Sequence, residues 1–287
     1  MQKKINNYSL LRYPGGKNKV YPYVKYLIKE TRSTTYIEPY CGGAAVAFKL
    51  LINNDVEKII INDFDRSIYA LWYSVLNFPN EFISLIENAK FTIEEWKIQK
   101  SIQKNKNNEP LISLGYSTLY LNRTNRSGII NAGVIGGKEQ LGQYKMNCRF
   151  NKNELIQKVK IISRYKSKIL LYNKDAIEFI KHNITKTKNS FTFFDPPYYC
   201  KGKALYTNFY EHVDHVDLAT SIEKYLVNKK WILTYDYSSE IEKLYKKYEN
   251  FIYKLNYSLA NSGQGKEYII FSNQISSKNI EDYLILD

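Results

Sequence analysis

The sequence predicts an α/β fold: a mostly parallel sheet covered by helices, interrupted by a long, mostly helical insertion. Three observations carry this expectation. Short apolar runs of strand length alternate with stretches of helical periodicity near the start of the chain. The runs end in polar or proline residues, as strands do where they leave a sheet. The alternation lapses between about Leu76 and Arg149 and resumes near Lys168.

Taken in order, Val20, Tyr23, Val24, Leu27 and Ile28 recur at helical spacing, so an amphipathic helix follows Lys17. Thr35-Tyr36-Ile37 is a β-prone run that stops at Glu38-Pro39, where proline cannot continue a ladder. The small residues Cys41 to Ala45 form a turn into the apolar helix Val46 to Ile52, and Lys58 to Ile61 is the next buried strand. Ile68, Leu71, Trp72 and Val75 mark another helix. After the interruption come the strand Ile169 to Tyr172, a helix from Ala176, the strand Phe191 to Phe194, a helix from Val216 to Val227 and the strand Trp231 to Thr234. Phe251 to Leu255 and Tyr268 to Phe271 read as two strands joined by a glycine-containing loop. This divides the chain into 1–75 with 159–287, and an insert at 76–158.

A net charge of +14 over 287 residues points to an anionic partner, nucleic acid first. Abundant Lys, Asn, Ile and Tyr give a compositional alternative, so charge is supporting only. Cys41, Cys148 and Cys200 match neither a zinc spacing nor a disulfide framework, and no metal site is expected. No run approaches a membrane span, and the polar start lacks a signal-peptide core; a soluble, cytoplasmic protein without a membrane partner is expected.

Asp195-Pro196-Pro197-Tyr198 directly follows an apolar strand, where open parallel sheets bind their ligands. The prolines fix φ and carry no N–H, so the Asp195 carboxylate and the Pro196 carbonyl become two rigid acceptors. An amino group with two hydrogens needs such a pair, and Tyr198 supplies a flat face for a base. Glu38-Pro39-Tyr40-Cys41-Gly42-Gly43-Ala44-Ala45 is a strand, a small-residue turn and a helix start. It lacks a phosphate-binding lysine and the G-x-G-x-x-G spacing, so a phosphate loop is disfavoured. Asp63 ends the second strand, placed either to accept from ribose hydroxyls or to cap the helix near Arg66.

Together with Arg12-Tyr13-Pro14-Gly15-Gly16-Lys17 and Asn62-Asp63, these motifs occur in an order that resembles the Dam-like (D12) class of DNA adenine-N6 methyltransferases, over nearly the whole chain. The resemblance implies a Rossmann-like, S-adenosylmethionine-dependent methyltransferase sheet with a reversed terminal β-hairpin. It also implies an inserted target-recognition domain carrying its own β-hairpin. Carried over, it assigns Asp195, Pro196, Pro197 and Tyr198 to catalysis, and Tyr13, Lys17, Glu38, Pro39, Gly42, Gly43, Asp63, Phe64 and Asp175 to the cofactor. Lys17 would lie near the methionine carboxylate and Phe64 against the adenine. Ala44 departs from a third glycine common in the class.

Asn122-Arg123-Thr124-Asn125-Arg126-Ser127-Gly128 is dense in groups that read base edges, Arg on guanine and Asn on adenine. Asn122, Arg123, Asn125, Arg126, Asn131, Lys138 and Lys145 are therefore the expected DNA contacts, phosphate binding by the arginines being the alternative; the resemblance adds Arg12, for which a surface ion pair is the alternative. Asn208-Phe209-Tyr210 is a candidate cover for the active site. The target would be an adenine flipped out of duplex DNA. Transfer to cytosine N4 and a catalytically silent DNA binder are the rival readings. A cognate restriction endonuclease and a monomeric or weakly dimeric state complete the expectations.

Overall fold

In a computed structural model of the chain, β1 (Thr35–Glu38), β2 (Lys58–Asn62), β3 (Ile169–Tyr172), β4 (Ser190–Phe194), β5 (Lys230–Asp236), β6 (Asn250–Asn256) and β7 (Gln264–Phe271) form one sheet. The structure describes residues 6–12, 17–200, 210–256 and 264–287. The strand order is β3-β2-β1-β4-β5-β7-β6. β1 to β5 pair in parallel, whereas β7 runs antiparallel to both β5 and β6. The Rossmann-like sheet with a reversed terminal hairpin, expected above, is therefore present.

The helices are α1 (Tyr21–Glu30), α2 (Ala45–Ile52), α3 (Arg66–Asn77), α4 (Pro79–Glu87), α5 (Ile93–Lys104), α6 (Leu111–Thr124), α7 (Lys152–Ser163), α8 (Ala176–Phe179), α9 (His212–Tyr225) and α10 (Ser239–Tyr245). α9 begins before the expected Val216 because Asp214 accepts the Glu211 N–H at 2.8 Å and closes the first turn. None of the helices among the described residues is long and apolar enough to cross a membrane.

Two compact units emerge: Met1–Pro14 with Asp65–Ser167, and Gly15–Phe64 with Lys168–Asp287. The first is helical and wider than the 76–158 insert expected from sequence, because α3 packs on α6 within it. Gly115 permits that approach, since a Cβ there would lie 2.5 Å from the Ala70 carbonyl oxygen. Asp65 starts α3 by accepting the Ser67 N–H at 2.9 Å. The β-hairpin expected in the insert is reduced, among the described residues, to one antiparallel bridge between Asn125 and Val134.

The second unit holds the sheet. Its core joins Ile37, Ile60, Phe194, Trp231, Leu233 and Ile270 of the strands to Phe179, Ile180, Leu218 and Ile222 of the flanking helices. Each such side chain, fully buried, contributes about 1.5–3 kcal/mol. The chain builds outward from β1 to β2 and β3, then restarts at β4 and builds the other way to β5. The reversal sets the carboxyl ends of β1 and β4 side by side, the place where open α/β sheets bind ligands. Glu38-Pro39 and Asp195-Pro196 are the two segments leaving there.

Candidate active site

β4 is buried along its length and delivers Asp195 at its end, with 27% of that side chain exposed. Alternate residues of a strand share a face, and β5 uses two of them to brace this segment. Thr234 donates to Asp195 Oδ1 at 2.9 Å. Two residues on, Asp236 accepts the N–H groups of Tyr199 and Cys200, each at 2.8 Å. One strand thus holds Asp195 and the two residues that follow Tyr198. Asp195 Oδ2 and the Pro196 carbonyl accept from no donor among the described residues.

Lys17 pairs with the same oxygen of Asp195, Nζ to Oδ1 at 3.1 Å, and is itself buried. It lies equally close, 3.1 Å, to Oε2 of Glu267 on β7, and donates to the Tyr198 hydroxyl. Tyr198 in turn donates to Glu267 Oε1, and Tyr253 of β6 donates to Oε2 at 2.6 Å. Burial, the largest cause, pushes the Asp195 carboxyl above the usual carboxylate range; Lys17 opposes the shift and the charge of Glu267 adds to it. The Tyr198 ring, expected as a stacking face, is 4% exposed, its hydroxyl engaged in this network.

The glycine turn after β1 is built on two left-handed residues, Gly42 at φ 43° and Ala44 at φ 45°. A left-handed residue explains why glycine suits position 44; alanine carries strain there of about 1–2 kcal/mol. Ala44 also has no side chain to cap α2. Glu38 does it from the end of β1, accepting the Ala47 N–H at 3.2 Å and the Tyr36 hydroxyl at 3.0 Å with Oε1. Burial pushes its carboxyl up to about 8, against the two hydrogen bonds. Pro39 is buried, its carbonyl accepting from Asn62 at 2.9 Å, and Gly43 is half-buried.

Asp63 does not cap a helix: its Oδ2 accepts the Gly42 N–H at 2.9 Å, tying the end of β2 to the turn after β1. Phe64 beside it leaves 60% of its surface exposed, its carbonyl held by Asn173 at 3.0 Å. Asp175 caps α8, accepting from Ile177 at 2.9 Å and Glu178 at 3.2 Å. Tyr13, and Asn208 and Phe209 of the candidate cover, lie outside the described residues. Tyr210 hydrogen-bonds Tyr40 at 2.9 Å. From sequence, segments 234–237 and 263–267 are candidates to border a flipped base or the DNA backbone, whereas Tyr253 has no assigned role. The available signal was a polar or charged residue in an otherwise apolar, buried strand.

In the helical unit the expected DNA residues part company. Asn122 is 2% exposed; its amide accepts the Arg12 N–H at 2.7 Å and donates to the Arg12 and Gly128 carbonyls at 3.0 and 2.6 Å. Arg123 donates to the Leu10 carbonyl at 2.7 Å, and burial lowers its pKa to about 10 despite nearby Glu154. Asn125 is wholly buried, accepting from the Trp96 indole at 2.7 Å and donating to the Ile130 and Ile129 carbonyls at 2.8 and 3.2 Å. As a correction to the surface role expected of them, the Asn122 and Asn125 side chains are internal scaffold, while Arg123 is half-buried and tied to the Leu10 backbone. Their donors and acceptors satisfy backbone groups and an indole, as buried polar groups must. Arg126, Asn131, Lys138 and Lys145 are exposed, and Arg12 is half-buried. Among the described residues no cluster of His, Cys, Asp and Glu could hold a metal ion.

The family described as D12 class N6 adenine-specific DNA methyltransferase matches residues 13–258 of the chain. Type II methyltransferase M.MjaIII of Methanocaldococcus jannaschii is 27% identical over 205 residues, covering 66% of this chain and 68% of that protein. Type II methyltransferase M1.LlaDCHI of Lactococcus lactis subsp. cremoris is 26% identical over 210 residues, covering 68% of this chain and 67% of that protein.

Proposed function

Since the chain belongs to the D12 class of N6 adenine-specific DNA methyltransferases, we propose that Asp195 and the Pro196 carbonyl receive the amino group of an adenine flipped out of duplex DNA. The methyl donor in this reading is S-adenosylmethionine. The observation that carries the assignment is the asymmetric engagement of Asp195. Oδ1 is held by Thr234 and Lys17, while Oδ2 and the Pro196 carbonyl accept from no donor among the described residues. Adenine N6 is conjugated with its ring and poorly nucleophilic. Two acceptors at its hydrogens draw it toward a pyramidal geometry and localise its lone pair, so positioning and electrostatics supply the acceleration. The raised proton affinity of Asp195 suits Oδ2 to hold the proton that N6 releases.

The groups at the sheet ends fit the proposed cofactor. Phe64 presents an exposed ring beside the Asp63 carboxylate, as an adenosine needs, and the left-handed turn at Gly42 lets the backbone come close. Asp63 would bind the ribose, Phe64 and Asp175 the adenine end, and Pro39, Gly42 and Gly43 the methionine side. Glu38 would act there by holding the turn and α2. S-adenosylmethionine supplies a methyl group on a positively charged sulfur.

The exposed Arg126, Asn131, Lys138 and Lys145, with Arg12, form the proposed DNA contacts, in keeping with the net charge of +14. The type II relatives support a cognate restriction endonuclease as a cellular partner, and a monomer or weak dimer would carry every group invoked. The test is transfer of labelled methyl groups to unmethylated DNA, followed by nucleoside identification. N6-methyladenine is expected, and Asp195→Ala should lower kcat by about 10³-fold with DNA affinity nearly unchanged. Persistent activity in that variant refutes the assignment.

A further inference from the structure

Glu267 has no part in the two-acceptor reading, yet it ties the site together. It is fully buried on β7, between Asp236 of β5 and Tyr253 of β6 in the register of the sheet. Its Oε2 accepts from Tyr253 and pairs with Lys17; its Oε1 accepts from Tyr198. The N-terminal segment, the loop after β4 and both strands of the terminal hairpin therefore meet on one carboxylate. A buried charge is tolerated only when so paired and hydrogen-bonded.

The consequence lies in the position of Lys17. Its ammonium stands 3.1 Å from Glu267 Oε2 and 3.1 Å from Asp195 Oδ1, balanced between two anions. With Glu267 neutral, Lys17 would be drawn onto Asp195 alone and would compete for both carboxylate oxygens. We propose that Glu267 is a positioning residue for methyl transfer: by anchoring Lys17 it confines that ammonium to Asp195 Oδ1 and reserves Oδ2 for the substrate amino group. The inference rests on the role of Asp195 given above and deepens it.

Among the described residues, the charged and polar groups around Asp195 are Lys17, Glu267, Thr234 and Tyr235 of β5, Tyr36 of β1 and the buried Glu38 at its end. Glu267→Gln removes a like charge and strengthens the hold of Lys17, so both effects favour the ionised carboxylate. The acid limb of the kcat profile, which reports groups in the enzyme–substrate complex, should therefore move to lower pH. At its optimum kcat should fall about 10- to 100-fold, as misplaced acceptors do. KM for DNA should stay within about threefold, since Glu267 is assigned no substrate contact. An unchanged kcat with an unmoved acid limb overturns the proposal if Asp195→Ala is inactive in the same assay. An active Asp195→Ala instead overturns the underlying reading. If Glu267→Gln fails to fold, Tyr253→Phe, which removes one donor to Glu267, decides the matter. A severalfold loss of kcat with a displaced acid limb supports the proposal, and a wild-type profile refutes it.

Discussion

Replacing Asn125 by alanine tests most directly whether the polar end of α6 builds the protein or reads DNA. The amide makes three internal hydrogen bonds: one from the Trp96 indole at 2.7 Å and two to the carbonyls of Ile129 and Ile130. At about 1 kcal/mol net per bond, the loss is about 3 kcal/mol. Two effects modify this figure in opposite directions. Ile129 and Ile130 are half-buried, so their carbonyls can turn to water; Trp96 is 8% exposed, so its orphaned N–H is penalised in full. For a chain of this size the expected fall in Tm is roughly 6–12 °C. Circular-dichroism melts of Asn125→Ala and Arg126→Ala, with DNA affinities at several salt concentrations, make the comparison. Arg126→Ala should keep the wild-type Tm and lose DNA affinity, with a shallower salt slope if the contact is to phosphate. An Asn125→Ala protein melting within about 2 °C of wild type but with altered site discrimination would refute the scaffold argument.

Two further substitutions probe the turn that closes β1. With the Glu38 pKa raised to about 8 by burial, the folded state binds a proton that the unfolded chain releases near 4.5, so this group lowers stability as pH climbs between those values. Glu38→Gln keeps an acceptor for Ala47 and Tyr36 but cannot ionise. Its stability relative to wild type should improve by about 1.4 kcal/mol per pH unit across that window, and a gap constant from pH 5.5 to 7.5 would contradict the assigned cause. Ala44→Gly should relieve the strain of the left-handed conformation at φ 45°. Offset by the greater freedom of glycine when unfolded, the gain is up to about 1 kcal/mol in chemical denaturation, and a loss of that size would show that the strain is absent.

Much of the fold was legible because its causes are local. The apolar runs Tyr36-Ile37, Ile59 to Ile61, Phe191 to Phe194 and Trp231 to Leu233 are rich in β-branched and aromatic residues, too short for helices and bounded by polar or proline residues, and all lie in strands. The mechanism that places Asp195 and Pro196 at the end of one of them is also local, since proline dictates its own backbone angles. Side-chain destinations were less legible. Asn122, Arg123 and Asn125 have the chemistry of base readers, and nothing within a few residues reveals that Arg12, Leu10 and Trp96 engage them first.

The sequence by itself determined the alternation of strands and helices, the position of Asp195-Pro196-Pro197-Tyr198 at a strand end and the membership that its motif order announced. Periodicity, backbone restriction and short motifs act over a few residues, and a few residues suffice to read them. Only the tertiary structure decided that Lys17 faces both Asp195 and Glu267, 250 residues apart from the latter in the chain. It alone decided that Glu38 caps a helix and that two asparagines hold a loop rather than face outward. A charged or polar side chain has several possible partners of equal chemistry. Which one it meets depends on the sheet order and on what else is buried beside it, and those are properties of the assembled chain.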